Sequence, residues 1–106
     1  MPRIPTKYGN RKTERGFDSV KEQRYYDELV LRERAGEIYD IKWQVPFEII
    51  PKQAGERATV YKADFTFVDV DTQKTVVVDV KGYRTEVYRL KRKLMLLVHG
   101  IKVLEA

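Results

Sequence analysis

The chain has no cysteine, which excludes a disulfide framework and any thiolate metal site and favours an intracellular compartment. Long apolar runs are missing as well. The longest uninterrupted one, Leu94 to Val98, is far too short to span a bilayer. The N-terminus carries basic residues but no apolar h-region, so no signal peptide is expected. Histidine occurs once, as His99 before Gly100, a placement that suits the dipole at a helix end better than metal ligation. Internal repeats and low-complexity tracts are absent. What remains is a chain of 106 residues, 42% hydrophobic and 11% aromatic. That is enough for one domain with a modest core, expected in the cytoplasm.

The formal charge of +5 is unevenly placed. Residues 1–24 hold Arg3, Lys7, Arg11, Lys12, Arg15, Lys21 and Arg24 against Glu14, Asp18 and Glu22. Residues 84–93 hold Arg84, Arg89, Lys91, Arg92 and Lys93 against Glu86 alone. Clustered positive charge is the footprint of a polyanion partner. Residues 1–16, with two prolines and little apolar content, read as a basic flexible arm ahead of a domain over 17–106.

The informative stretch is YKADFTFVDVDTQKTVVVDVKG, residues 61–82. Two β-rich runs, Val60–Val70 and Thr75–Val80, flank the polar tetrad 71–74 and predict a hairpin. Alternation sends Phe65 and Phe67 to one face and Asp64 and Thr66 to the other. In the second run Val76, Val78 and Val80 share a face, leaving Asp79 and Lys81 on the opposite one. Pairing 70 with 73 sets Asp64 opposite Asp79, whereas pairing 70 with 75 sets it opposite Lys81. Either register gathers two carboxylates and an amine within cross-strand reach. Adjacent carboxylates repel unless a cation lies between them, and oxygen donors suit Mg²⁺ or Mn²⁺.

Phe17–Ala35 reads as a helix capped by Asp18 or Ser19 and stopped by Gly36. With Ser19 as the cap, Glu22 completes the capping box S-x-x-E. Glu22 also shares a stripe with Tyr26, Leu29 and Glu33, which turns its carboxylate partly inward. Asp40–Pro51 reads as a strand, with Pro46 marking an edge or a bulge; Trp43, Val45 and Phe47 share one parity, Gln44 and Glu48 the other. Gln44 either reaches the acidic face or meets water. The loop 52–59 offers Lys52 and Arg57 to phosphates. A second helix, Thr85–His99, carries Val87, Leu90, Leu94, Leu97 and Val98 as its expected buried stripe. Lys91 lies inside that stripe, as a further candidate for phosphate or water contact. Ile101–Glu105 makes a short closing strand. The order is αβββαβ: an α/β (α+β) fold in which a mixed four-stranded sheet is flanked by two helices.

Ala63-Asp64, a hydrophobic run, then Asp79-Val80-Lys81 resembles the PD-(D/E)XK nuclease superfamily, with Ala63 where the pattern's proline often stands. KGYRTEVYRLKRKL and FDSVKEQRYYDEL are similar to a phage-encoded group of small Holliday-junction-resolvase-like proteins, over roughly Tyr8 to Glu105. The resemblance implies a restriction-endonuclease-like core and a divalent-metal-dependent DNA endonuclease. Asp64, Asp79 and Glu22 would serve Mg²⁺ (or Mn²⁺), and Lys81 would align water or stabilise charge. It further implies branched DNA, such as four-way junctions, and a homodimer in the host cytoplasm. Arg11, Lys12, Arg15, Lys52, Arg57, Arg84, Arg89, Lys91 and Arg92 are the candidates for DNA backbone contact. The alternatives are a nuclease on other structured or single-stranded DNA and a non-catalytic nucleic-acid-binding module.

Overall fold

In the computed structural model of the chain, which describes residues 19–80 and 85–106, Ser19 starts the first helix. Its backbone is extended (φ −147°, ψ 158°) and its hydroxyl accepts the Glu22 amide at 3.1 Å, satisfying a donor the first turn leaves over. The helix, α1, spans Val20–Arg34, and Gly36 follows at φ 78°, the left-handed stop the sequence announces. Three strands come next: β1 (Ile38–Ile50), β2 (Thr59–Asp69) and β3 (Thr75–Asp79). The second helix α2 covers Glu86–His99, and β4 is the pair Leu104–Glu105. Thr85 caps α2 by accepting the Tyr88 amide, and Gly100 ends it at φ 68°. The expected arm and Phe17–Asp18 lie outside the described residues, as do Lys81, Arg11, Lys12, Arg15 and Arg84.

The sheet order is β1-β2-β3-β4, antiparallel at the first two junctions and parallel at the last. It is therefore the mixed sheet with two flanking helices that the element order suggests. Pro46 sits on β1, an edge strand, where a missing ladder donor does least harm. The tip between β2 and β3 is closed by Asp69 and Lys74, with the Asp69 carboxylate accepting the Asp71 and Thr72 amides. Neighbouring residues of a strand point to opposite faces. Val78 and Val80 pack with Leu29, Ile38, Phe65 and Phe67, whereas Val77 packs with Met95, Ile49, Tyr61, Ala63 and Val103. The helices thus cover opposite faces of the sheet.

One helix reading changes. The stripe expected to be buried on α2 is turned outward: Val87, Leu90 and Val98 are more than half exposed and Leu97 is 80% exposed. Met95 is the fully buried residue of this helix, flanked by Tyr88 and Leu94. The reason is a rotation of about one residue that brings Tyr88 and Arg92 onto Glu105. His99 stands in the last turn of α2, as expected, and also reaches across to β1, donating from Nε2 to the Glu48 carbonyl at 2.7 Å and meeting Phe47 edge-on.

Candidate functional site

The register of the central hairpin brings the two aspartates together. Phe65↔Val78 and Thr66↔Val77 are partners, and one step further along the same register Asp64 faces Asp79. Both are buried, 2% and 5% exposed. The backbone ladder stops here and side chains take over its donors. The Val80 amide donates to Asp64 Oδ2 at 2.7 Å, and the Tyr61 hydroxyl donates to Asp79 Oδ2 at 3.0 Å. Burial, and then the Asp79 carboxylate, push the Tyr61 phenol well above its ordinary pKa. It remains a proton donor at any neutral pH. Lys81, the amine of the motif, lies outside the described residues.

Glu22 is also buried, 4% exposed. Its Oε2 accepts from the Ser19 hydroxyl at 3.2 Å, so the capping pair forms and the carboxylate is nevertheless inside. A cap on a surface helix would leave this acid in water; Glu22 instead shares the inner side of α1 with Leu29. Among the described residues, no group of three acidic or histidine side chains is close enough to hold a metal. The structure joins Asp64 to Asp79 and does not draw Glu22 into one cluster with them. Buried carboxylate oxygens are hard donors that fit a divalent cation, and a Mg²⁺ ion that keeps several waters needs only one or two of them.

A fourth acid was hidden in the sequence. Across the parallel junction Asp79 is the partner of Glu105, so Asp64, Asp79 and Glu105 occupy one row over three strands. Glu105 Oε2 accepts from the Tyr88 hydroxyl at 2.7 Å and from Arg92 Nη1 at 3.1 Å. The Arg92 guanidinium also stacks over the Tyr88 ring, 5.9 Å from its centroid. Burial and the bond to Glu105 push the Tyr88 phenol upward. Only the placing of β4 beside β3 reveals this row; the one signal in the sequence was an acid inside the closing strand. Arg92, a candidate for DNA backbone contact, has its head engaged with Glu105. Arg89, Lys52 and Arg57 stand exposed and Lys91 is half-buried.

Gln44 occupies an unusual place. Three non-glycine residues among those described have positive φ: Asp40, Gln44 and Gln73. Asp40 lies at the β-bulge where the register shifts between Tyr39 and Lys42, and aspartate tolerates this conformation. Gln73 lies in the turn, where its side chain bonds the Val70 carbonyl and the Tyr39 hydroxyl. Gln44, at φ 55°, has neither reason. Register continues unbroken around it, from Trp43↔Phe65 to Val45↔Ala63, which sets it opposite Asp64. Trp43 and Phe65 pack on the α1 face, while Phe47, Tyr61 and Ala63 pack on the α2 face. Both strands therefore exchange faces at this rung, although all five residues have the same parity. Such backbone strain costs about 1–3 kcal/mol. Gln44 Nε2 is moreover buried with no hydrogen-bond partner, at a further cost of about 1–3 kcal/mol.

No significant match to the chain was found among curated proteins or among solved structures. A family model does match it, over residues 6–100. The chain belongs to the family described as "Protein of unknown function (DUF1064)".

Proposed function

We propose that the protein is a divalent-metal-dependent DNA endonuclease that hydrolyses phosphodiester bonds, acting on branched DNA such as four-way junctions. The observation that carries this reading is the pair Asp64–Asp79, buried face to face where the β2–β3 ladder ends. The resemblance of Asp64, Asp79 and Lys81 to the PD-(D/E)XK pattern supports it. The two aspartates would hold Mg²⁺ or Mn²⁺, which when bound supplies Lewis-acid polarisation of the phosphate and a more acidic water. Tyr61 fixes the Asp79 carboxylate and the Val80 amide fixes that of Asp64, so both acids are oriented before any ligand arrives. Lys81 is assigned charge stabilisation or water alignment by its place in the motif. Exposed Arg89, Lys52 and Arg57 offer backbone contacts that weaken as salt rises. The test is cleavage of a labelled four-way junction beside a linear duplex, with Mg²⁺ and with EDTA. Junction cleavage dependent on Mg²⁺ is expected; no cleavage of either substrate sinks the assignment.

Glu22 is assigned a supporting role at this centre. Glutamine in its place still accepts from Ser19, so Glu22→Gln should keep the helix cap and the melting temperature. Cleavage should fall by ~10²-fold, in line with losses at charge-stabilising groups. An unchanged rate would leave Glu22 as a cap only.

The partner proposed for the outer face of α2 is a second copy of the chain. Val87, Leu90, Leu94 and Leu97 follow one another at spacings that read the same in both directions; Val87, Leu90 and Leu97 are exposed, and Leu94, half-buried against the Met95 cluster, lies at the edge of that face. Two antiparallel α2 helices would therefore set Val87 over Leu97, and Leu90 over Leu94, of the second copy. Paired active centres would let two strands of a junction be cut symmetrically. Sedimentation velocity should show a dimer that Leu90→Lys with Leu97→Lys converts to a folded monomer. A wild-type monomer at all concentrations would refute this interface.

A further inference from the structure

We propose that the side-chain amide of Gln44 is a phosphate-contacting donor of the same site, giving a phosphodiester oxygen the hydrogen bond that the acids around it cannot give. The inference rests on the reading of Asp64 and Asp79 as a phosphodiester-processing centre.

Neither a bulge nor a turn asks for the left-handed backbone at Gln44. Glycine meets such a demand without steric cost. The left-handed backbone accompanies the exchange of faces at this rung, and glutamine in place of glycine adds a side chain there. That side chain holds a buried nitrogen without a hydrogen bond, a donor desolvated ahead of any acceptor. Its rung is the one that faces Asp64.

Among the described residues beside the two aspartates, the other donors the structure shows are already taken. Ionised carboxylates only accept. The Tyr61 hydroxyl and the Val80 amide are already given to Asp79 and Asp64, and the Arg92 guanidinium is given to Glu105. An amide suits the vacancy on chemical grounds. It is neutral, so it does not compete with a cation for the carboxylates, and its donor is present at every pH at which the protein folds.

Gln44→Met isolates the amide, since methionine has nearly the same length and no donor. Wild type and variant are to be titrated calorimetrically with Mn²⁺ alone, then with thymidine 5′-monophosphate in the presence of Mn²⁺. Junction cleavage in Mg²⁺ is measured in parallel. The variant should melt at or above the wild-type temperature, because a buried orphan donor is gone. Its Mn²⁺ affinity should be unchanged and its nucleotide affinity about 10- to 100-fold lower, the range for a hydrogen bond to a charged group. Equal nucleotide affinity in the two proteins, including no binding by either, overturns the proposal. So does loss of Mn²⁺ binding in the variant, which would mean that Gln44 serves Asp64 instead. Should Gln44→Met fail to fold, Gln44→Gly, which suits the backbone, takes the same titrations. A wild type that cleaves no DNA but binds the nucleotide through Gln44 would end the nuclease reading and leave this one standing.

Discussion

Asp79→Asn is expected to reduce Mg²⁺-dependent cleavage by at least ~10²–10³-fold while the metal-free protein melts no lower than wild type. The amide oxygen can still accept from Tyr61, so the bond that orients this position survives. The amide nitrogen, in turn, faces a carboxylate where a like charge stood before. Removing one of two buried, facing charges relieves repulsion, which is why stability should hold or rise. Metal binding supplies the opposite sign. Wild type gains melting temperature with rising Mg²⁺ or Mn²⁺ by mass action, and the variant should lose most of that gain. Calorimetric scans with and without the cation measure both effects in one series. A wild-type cleavage rate in the variant at saturating Mg²⁺ would remove Asp79 from the centre.

The second large effect belongs to the core directly behind the site. Phe65 is fully buried, tilted against Tyr25 at 5.6 Å and stacked on Tyr26 at 6.3 Å. Phe65→Ala should cost about 3–5 kcal/mol, as truncated core aromatics do. Against a total stability of roughly 5–15 kcal/mol, that is a large share, and a fall in melting temperature on the order of 12 °C or more should follow. Because Phe65 adjoins Asp64 on β2 and pairs with Val78 beside Asp79, the carboxylates should lose their fixed geometry before the chain unfolds. Metal-induced stabilisation should thus fall along with the melting temperature. A fall of less than a few degrees would show that the tyrosines of α1 refill the space.

The sequence carried the parts of this arrangement that depend on short-range pattern. Ser19 and Gly36 delimit α1, Thr85 and Gly100 delimit α2, and the polar tip marks the hairpin while leaving two registers open, of which the structure takes the one that sets Asp64 against Asp79. The caps and the tip are each decided by a few adjacent residues and by backbone rules. What stayed hidden depends on how elements turn against each other. On α2 the apolar spacing favoured Val87, Leu90 and Leu97 as the inner face. The bonds of Tyr88 and Arg92 to Glu105, on a strand of two residues, rotated the helix away from it. Strict alternation along β1 placed Trp43 with Phe47. The exchange of faces at Gln44 and Asp64 separates Trp43 from Phe47, and no residue preference near Gln44 announces a positive φ. Glu105 became a neighbour of Asp79 only through the parallel pairing that closes the sheet.

The slender attachment of β4 has a consequence for how the molecule breathes. Two rungs join β4 to β3, one of them at Asp79 itself, and the Ala106 amide bonds the Asp79 carbonyl at 2.9 Å. The helix leading into β4 anchors itself through one fully buried side chain, Met95. The α2–β4 segment therefore has less to lose by detaching than β1 and β2, which share a long ladder. Local opening follows such differences in buried contact. Amide protons of α2 and β4 should exchange with solvent well before those in the middle of β2. Each opening carries away Glu105 and Arg92 and uncovers one side of Asp79, while Asp64 and Asp79 keep their places on the β2–β3 hairpin, so the pair outlasts the acid and the arginine that flank it.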